Sequence, residues 1–187
     1  MGGSRKAGRA AMSDHVDIAV HVADTGWRRV GAISRLARRA ALAALEAGVS
    51  STQRRTLAKS SGELALTFSD DATLRRLNGR YRGKRKPTNV LSFGSPSDWH
   101  SAPDGEPRPL GDVILARETV LREARAQGKT AAAHASHLVV HGVLHLLGYD
   151  HERAADASRM EAIEIDVLAQ LGIADPYEAP ARRRARG

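Results

Sequence analysis

Three histidines in the C-terminal half of the chain lie at the spacing of a metal site. His141 and His145 are four residues apart, which places both on one face of a helix if this segment is helical. Gly148 can take the left-handed conformation that ends a helix, so the chain can turn back and bring His151 to the same ion. Three nitrogen ligands leave one coordination position open, as in a catalytic zinc site. The spacing therefore predicts one Zn²⁺ per chain, held by these histidines.

The same spacing occurs in zinc peptidases with the signature H-E-x-x-H-x-x-G-x-x-H, but the position of their general-base glutamate is Gly142 in this chain. The pattern therefore predicts a metal that acidifies water or polarises an oxyanion, with proton transfer left to another group or to the substrate. Asp150 adjoins His151 and is predicted to orient a ligand histidine. His137 lies one turn before His141 and is predicted to support the ligands or to contact phosphate, with a purely structural role as the alternative.

A strongly basic segment precedes the histidines in the chain. It holds seven positive side chains and no negative one, namely Arg75, Arg76, Arg80, Arg82, Lys84, Arg85 and Lys86. A solvated helix face usually mixes both signs, so this segment predicts a polyanionic partner such as nucleic acid. The formal net charge of +8 points to the same class of partner.

Length and composition predict one domain. Of the 187 residues, residues 1–14 are predicted to be a disordered leader, 15–177 a single domain and 178–187 a basic disordered tail. The absence of cysteine excludes disulfides, cysteine-type zinc fingers, iron–sulfur clusters and thiol catalysis. No apolar run approaches the roughly 20 residues that span a bilayer, and the N-terminus lacks the apolar segment of a signal peptide. We therefore expect a cytoplasmic protein without a membrane partner.

The periodicity of apolar residues predicts the elements that must position the histidines. Alternation predicts strands over residues 15–22, 63–68, 88–93 and 112–115. Helical spacing predicts helices over residues 27–47, 70–78, 117–147 with a break near Gly128, and 154–171, with Ser69 as the cap of the second. The third helix is apolar nearly all round in its second half. Such a helix belongs in the interior, so the metal site lies at the end of a buried helix and faces a cleft.

Three blocks of sequence resemble one known family. They are residues 77–93 without positions 79, 80 and 85, residues 110–113, and residues 137–151. On these blocks the chain resembles the YbeY family of bacterial metal-dependent endoribonucleases, the ribosomal RNA maturation factors, from the second strand to about Tyr177. Arg85 stands where the family usually has an acidic residue, and Gly94 where it usually has proline.

The resemblance implies an α/β fold of the α+β kind, with a small mixed sheet of about four strands packed with helices. It implies zinc at His141, His145 and His151, and Arg82 as the family's functional arginine. It further implies that the substrate is single-stranded RNA, including the 3′ end of the 16S ribosomal RNA precursor. The ribosome or its small-subunit proteins are then the expected partners, and the expected role is in ribosomal RNA processing and ribosome quality control.

The chemistry of phosphodiester cleavage agrees with this assignment of Arg82. Its transition state gathers negative charge on the equatorial oxygens, and one guanidinium can bind two of them at once. The neighbouring side chains are expected to contact RNA, namely Arg80, Tyr81, Lys84, Arg85, Lys86 and, beside the ligands, His137. Two alternatives remain open at this point. One is another metal-dependent hydrolase, and the other is a ribosome-assembly factor that binds RNA and has a largely structural zinc.

Overall fold

Four strands form one mixed sheet in the order β1-β2-β4-β3. The computed structural model describes residues 11–94, 99, 103 and 105–178. The strands are β1 (Val16–Val22), β2 (Gly62–Ser69), β3 (Val90–Phe93) and β4 (Arg108–Ala116). β2 pairs in parallel with β1 and β4, whereas β3 pairs antiparallel with β4 and forms an edge. The predicted mixed sheet is confirmed, but β4 begins at Arg108 and so starts earlier than the strand predicted over residues 112–115.

Six α-helices surround the sheet within the described residues. They are α1 (Ile33–Gly48), α2 (Ser51–Lys59), α3 (Asp71–Arg82), α4 (Arg117–Ala126), α5 (Ala131–Leu146) and α6 (Ala154–Gln170). The predicted break near Gly128 is confirmed, because this glycine has a φ of 65° and separates α4 from α5. Helix α2 was not predicted, since its polar sequence has little periodicity. A capping box between Ser50 and Gln53 starts it.

Helix α3 differs from its prediction at both ends. Asp70, and not Ser69, caps it, because the Asp70 carboxylate accepts a hydrogen bond from the Thr73 backbone N–H at 2.7 Å. The helix also continues through Gly79 to Arg82 and ends at Gly83, whose φ of 68° is the left-handed conformation. The basic side chains up to position 82 therefore lie on a rigid helix, and only the following ones lie on a loop.

The two faces of the sheet carry different helices, because side chains alternate along each strand. Val113 and Leu115 of β4 enter the main core, to which the apolar residues of α5 also belong. Ile114 of β4 and Leu91 of β3 point the other way and pack with Leu74 of α3 in a second cluster. Helices α3 and α5 thus cover opposite faces of the sheet.

The N-terminal boundary of the domain lies before β1. Met12 lies in a 3₁₀ helix (Met12–Asp14), is buried, and its backbone N–H donates to the carboxylate of Glu46 at 3.3 Å. Residues 12–14 of the leader predicted over residues 1–14 therefore pack on the domain, which the sequence did not indicate because a single methionine after two alanines shows no periodicity. Residues 1–10 and 179–187 lie outside the described residues. No helix in the described part of the chain is long and apolar enough to cross a membrane.

Gly94 occupies a backbone position that proline cannot adopt. Its φ is 138°, and a Cβ atom there would lie 2.8 Å from the carbonyl oxygen of Leu110. At the end of β3, where Gly94 stands in place of the family's usual proline, the backbone therefore lies very close to the backbone at Leu110.

Candidate metal centre

The buried helix α5 delivers two of the three predicted ligands. The Thr130 side chain caps its start, and the helix ends one residue after His145. Gly148 then has a φ of 93°, and the chain returns so that the ring of His151 lies 5.6 Å from that of His141 and 5.1 Å from that of His145, between centroids. One ring nitrogen from each of the three histidines lies within 4.8 Å of the other two. The structure brings together the side chains predicted to bind the metal.

The distances between the nitrogens fit a small tetrahedral ion. Zinc–imidazole bonds of about 2.0–2.1 Å place two ligand nitrogens of a tetrahedron about 3.3–3.4 Å apart. The Nε2 atoms of His141 and His145 are 3.1 Å apart. His151 is exposed while the other two are half-buried, so the site opens to solvent on the side of His151. Three ligands with an open side match a catalytic site better than a closed structural one.

The environment of His145 keeps its imidazole neutral. Burial, followed by the proximity of His141 and His151, lowers the pKa of His145 from 6.5 to about 4. A histidine must be neutral to bind a metal, and at neutral pH His145 is already in that form.

Glu164 is a residue of this site that the sequence analysis missed. It lies on α6, its side chain is 0% exposed, and its two carboxylate oxygens face two histidines of α5. His141 Nδ1 lies 2.8 Å from Oε1, and His137 Nε2 lies 3.0 Å from Oε2. The hydroxyl of Tyr177 also donates to Oε2. Three donors thus converge on one buried carboxylate.

Those hydrogen bonds decide the charge of Glu164. Burial alone raises the pKa of its carboxyl, but the hydrogen bonds from His137, His141 and Tyr177 outweigh it and lower the pKa to about 2. An ionised acceptor at His141 Nδ1 keeps the proton on that nitrogen and leaves Nε2 free to face the metal. One signal in the sequence pointed to this residue, since Glu164 interrupts the apolar stripe of α6 formed by Met160, Ile163, Val167 and Leu168.

His137 and Asp150 lie beside the ligands, and their supporting roles stay predictions. The Nε2 atom of His137 contacts Glu164 and not the ligand group, and its ring packs edge-on against Tyr177 at 5.7 Å. Asp150 is exposed and accepts a hydrogen bond from the backbone N–H of His151 at 2.7 Å. Asp150 thereby shapes the backbone at the third ligand.

Gly142 has no room for a side chain. A Cβ atom there would lie 2.6 Å from Cγ1 of Val113 and 3.0 Å from Oγ of Ser92, because α5 rests closely on the sheet at this point. The Ser92 hydroxyl also donates to the Gly142 carbonyl at 3.2 Å. The position that holds the base of a zinc peptidase therefore faces the sheet and not the metal, so the peptidase arrangement is not merely lost but sterically blocked.

Arg82 lies outside the group of histidines. It is the last residue of α3 and is exposed, and no hydrogen bond or ion pair joins it to another of the described residues. The preceding Tyr81 packs on Phe93 of β3 at 5.0 Å, with the guanidinium of Arg80 5.5 Å above its ring. Ser92, the neighbour of Phe93, is the residue that contacts α5. Arg82 and the metal centre therefore flank the same end of edge strand β3 from opposite faces, and their cooperation stays a prediction.

The loop after α3 presents the other predicted RNA contacts. Lys84, Arg85 and Lys86 are all exposed. Asn78, buried on α3, holds this loop, because its side-chain amide donates to the carbonyl of Lys86 at 2.8 Å and its own carbonyl accepts from the Lys84 N–H at 3.3 Å. The positive charges thus lie on a positioned loop.

A groove runs from the metal centre along α5. It has a volume of about 640 Å³ and is lined by His141, His137, His134, Asn89 and Tyr177, among others. Among the lining residues, Glu123 accepts a hydrogen bond from Asn89 and contacts His134. The groove can admit an extended ligand up to the histidine ligands.

Comparison with known proteins gives one consistent result. Residues 33–172 match the family described as Endoribonuclease YbeY. The chain is 48% identical to Endoribonuclease YbeY of Azorhizobium caulinodans over 89% of this chain and 99% of the relative. It is 49% identical to the protein of the same name from Rhodospirillum rubrum, over 87% and 82%. It is 60% identical to that of Paramagnetospirillum magneticum, over 62% and 71%.

Proposed function

The chain belongs to the YbeY endoribonuclease family, and from this premise we propose that it is a zinc-dependent endoribonuclease specific for single-stranded RNA. Its proposed physiological substrate is the precursor of 16S ribosomal RNA, which it matures at the 3′ end in the cytoplasm. A role in ribosome quality control, with the ribosome or its small-subunit proteins as partners, belongs to the same proposal. Family membership supports the RNA-cleaving activity, and the basic segment supports a polyanionic substrate.

One observation carries the proposal at the level of chemistry. Three imidazoles converge with the spacing of a zinc site, and no carboxylate can occupy the position of the peptidase base. His141, His145 and His151 would hold the ion, which would supply Lewis-acid stabilisation of negative charge on a phosphoryl oxygen. A substrate that brings its own nucleophile suits such a site, and RNA has one in its 2′-hydroxyl group.

The side chains of the protein contribute binding and orientation. Glu164 holds the proton on His141 Nδ1 and fixes the ring, and His137 and Tyr177 hold the carboxylate of Glu164 in turn. Arg82 binds the equatorial oxygens of the phosphate when the RNA crosses the edge of β3. The exposed side chains beside it, namely Arg80, Tyr81, Lys84, Arg85 and Lys86, bind the flanking nucleotides.

Turnover of one RNA sequence by highly purified protein tests the proposal. We expect Arg82→Ala to lower cleavage at least about a hundredfold without loss of zinc, as for a donor that binds developing negative charge. Arg38→Ala, which removes an exposed arginine from α1, is the matched control and should cleave as the wild type does. Activity of Arg82→Ala within a few-fold of wild type would remove this residue from the catalytic group.

A second comparison separates the nuclease from the alternatives. We expect the protein to cleave single-stranded RNA, to spare the same sequence made as DNA, and to leave unfolded casein intact. His145→Ala should lose both zinc and RNA cleavage. DNA cut as fast as RNA would exclude the 2′-hydroxyl as nucleophile, and RNA cleavage that survives in His145→Ala would favour an RNA-binding assembly factor contaminated by another nuclease.

A further inference from the structure

The outer face of α3 carries a second basic surface. Four arginines, Arg75, Arg76, Arg80 and Arg85, line a depression of about 460 Å³ whose floor is formed by Ala72 and Gly79. We propose that this surface, the arginine face, binds the phosphate backbone of double-helical RNA that adjoins the single strand to be cleaved. The inference rests on the proposed function, since it assigns a second binding site for the same substrate.

The arginine face lacks close acidic partners among the described residues, although Arg76 is attracted to Asp70 at longer range. No carboxylate among the described residues forms an ion pair with any of its four arginines, and the sequence has no acidic residue from 72 to 97. The carboxylates at the start of α3 are engaged, since Asp70 caps the helix and Asp71 accepts from the backbone N–H of Thr119 at 3.0 Å. Four guanidinium groups around one depression repel each other, and an anionic ligand relieves this repulsion.

The arginine face does not contact the nucleotide in the metal centre. Arg75 and Arg76 contact only the duplex, whereas Arg80 and Arg85, which border the loop after α3, also contact the nucleotides between the two sites. Helix α3 packs on the sheet through Leu74 and Leu77, opposite to the face covered by α5, and its arginines point outward. The two sites are therefore separated by the sheet and by α3 itself. A short single strand bound at the histidines does not reach both, whereas a longer folded RNA does.

The chemistry of the depression favours a double helix over a single strand. Proteins bind single strands by stacking bases on aromatic side chains, and none of the residues that line the depression is aromatic. Double-helical RNA is recognised instead through its phosphates and 2′-hydroxyl groups, largely by shape. Guanidinium groups on a rigid helix suit that kind of recognition, because they bind phosphate oxygens in pairs.

The loop after α3 connects the two sites. Arg82, Lys84 and Lys86 follow the arginine face in the chain, and β3, to which the loop leads, is the edge strand of the sheet. Asn78 holds the loop at both Lys84 and Lys86. A strand leaving a duplex on α3 thus passes a row of positive charges as it crosses the edge towards the histidines.

Binding of a blunt RNA duplex of about 16 base pairs by the full chain, without metal, tests the inference. In Arg75→Gln/Arg76→Gln we expect the slope of log affinity against log salt to fall by about 1.8, since each lost phosphate contact removes about 0.9. The duplex affinity should fall at least about tenfold, and at least about fivefold more than the affinity for a short single strand. The matched control, Arg35→Gln/Arg38→Gln on α1, removes the same charge and should stay within about twofold of wild type.

Two results would overturn the inference. One is an equal loss of duplex affinity in both double variants, which would reduce the effect to overall charge. The other is an equal loss for duplex and single strand in Arg75→Gln/Arg76→Gln, which would make the arginine face part of the single-strand path. Binding is measured without metal and does not depend on cleavage. A protein that binds duplex through α3 but cleaves no RNA would therefore refute the nuclease proposal and leave the duplex-binding inference standing.

Discussion

Replacing Glu164 by glutamine should weaken zinc binding without touching a ligand. The side chain keeps its size, but an amide has one oxygen where the carboxylate has two, so His141 and His137 can no longer both donate to an anionic oxygen. Loss of such a supporting group costs about 10–100-fold in metal affinity, which equals about 1.4–2.8 kcal/mol. We therefore expect the Kd for zinc to rise by this factor.

Competition with a fluorescent chelator measures this change. Glu161→Gln is the matched control, because it makes the same chemical change on an exposed residue of the same helix. RNA cleavage by Glu164→Gln should recover in excess zinc to the extent that affinity alone is lost. A zinc Kd for Glu164→Gln equal to that of the control would refute the reasoning that this carboxylate positions His141.

The Glu164 carboxylate should also contribute to the free energy of unfolding in a way that depends on pH. The folded pKa of Glu164, about 2, lies below the ordinary value of 4.5, so its contribution to stability is present above pH 4.5 and is lost as the pH falls towards 2. Denaturation of the metal-free protein should therefore show the largest difference between wild type and Glu164→Gln near neutral pH. A difference that grows below pH 4.5 would contradict the assignment of an ionised carboxylate.

Gly142→Ala should lower the free energy of unfolding by about 1–3 kcal/mol in a urea titration, because the added methyl group would lie 2.6 Å from Val113 Cγ1. The metal-free protein should lose stability as the pH falls from 6.5 to about 4, because His145 takes up a proton in the unfolded chain but stays neutral in the folded one. Thermal melts of His145→Gln should show a weaker dependence of stability on pH over this range. Asp70→Ala should cost about 1 kcal/mol through the lost helix cap, and an equal cost for Ser69→Ala would restore Ser69 as the cap.

The sequence by itself determined the features that depend on local periodicity. The offsets of His141, His145 and His151 and the glycine at 148 predict a three-histidine site, because helix geometry relates residues four apart and a glycine permits the return of the chain. Alternation in the same way predicts the strands. A single sequence is enough to recognise these patterns, because each involves residues close together in the chain.

Only the tertiary structure decided which distant residues support the site. Glu164 contacts His141 because α6 packs against α5. Gly142 has no room for a side chain because α5 lies so close to Val113 of β4. Helices α3 and α5 lie on opposite faces of the sheet because their apolar residues pack in different clusters. Such contacts join segments far apart in the chain, and no periodicity specifies them. The sequence therefore determined the candidate ligands and the basic segment, and packing decided which side chains contact those histidines and which way the charges point.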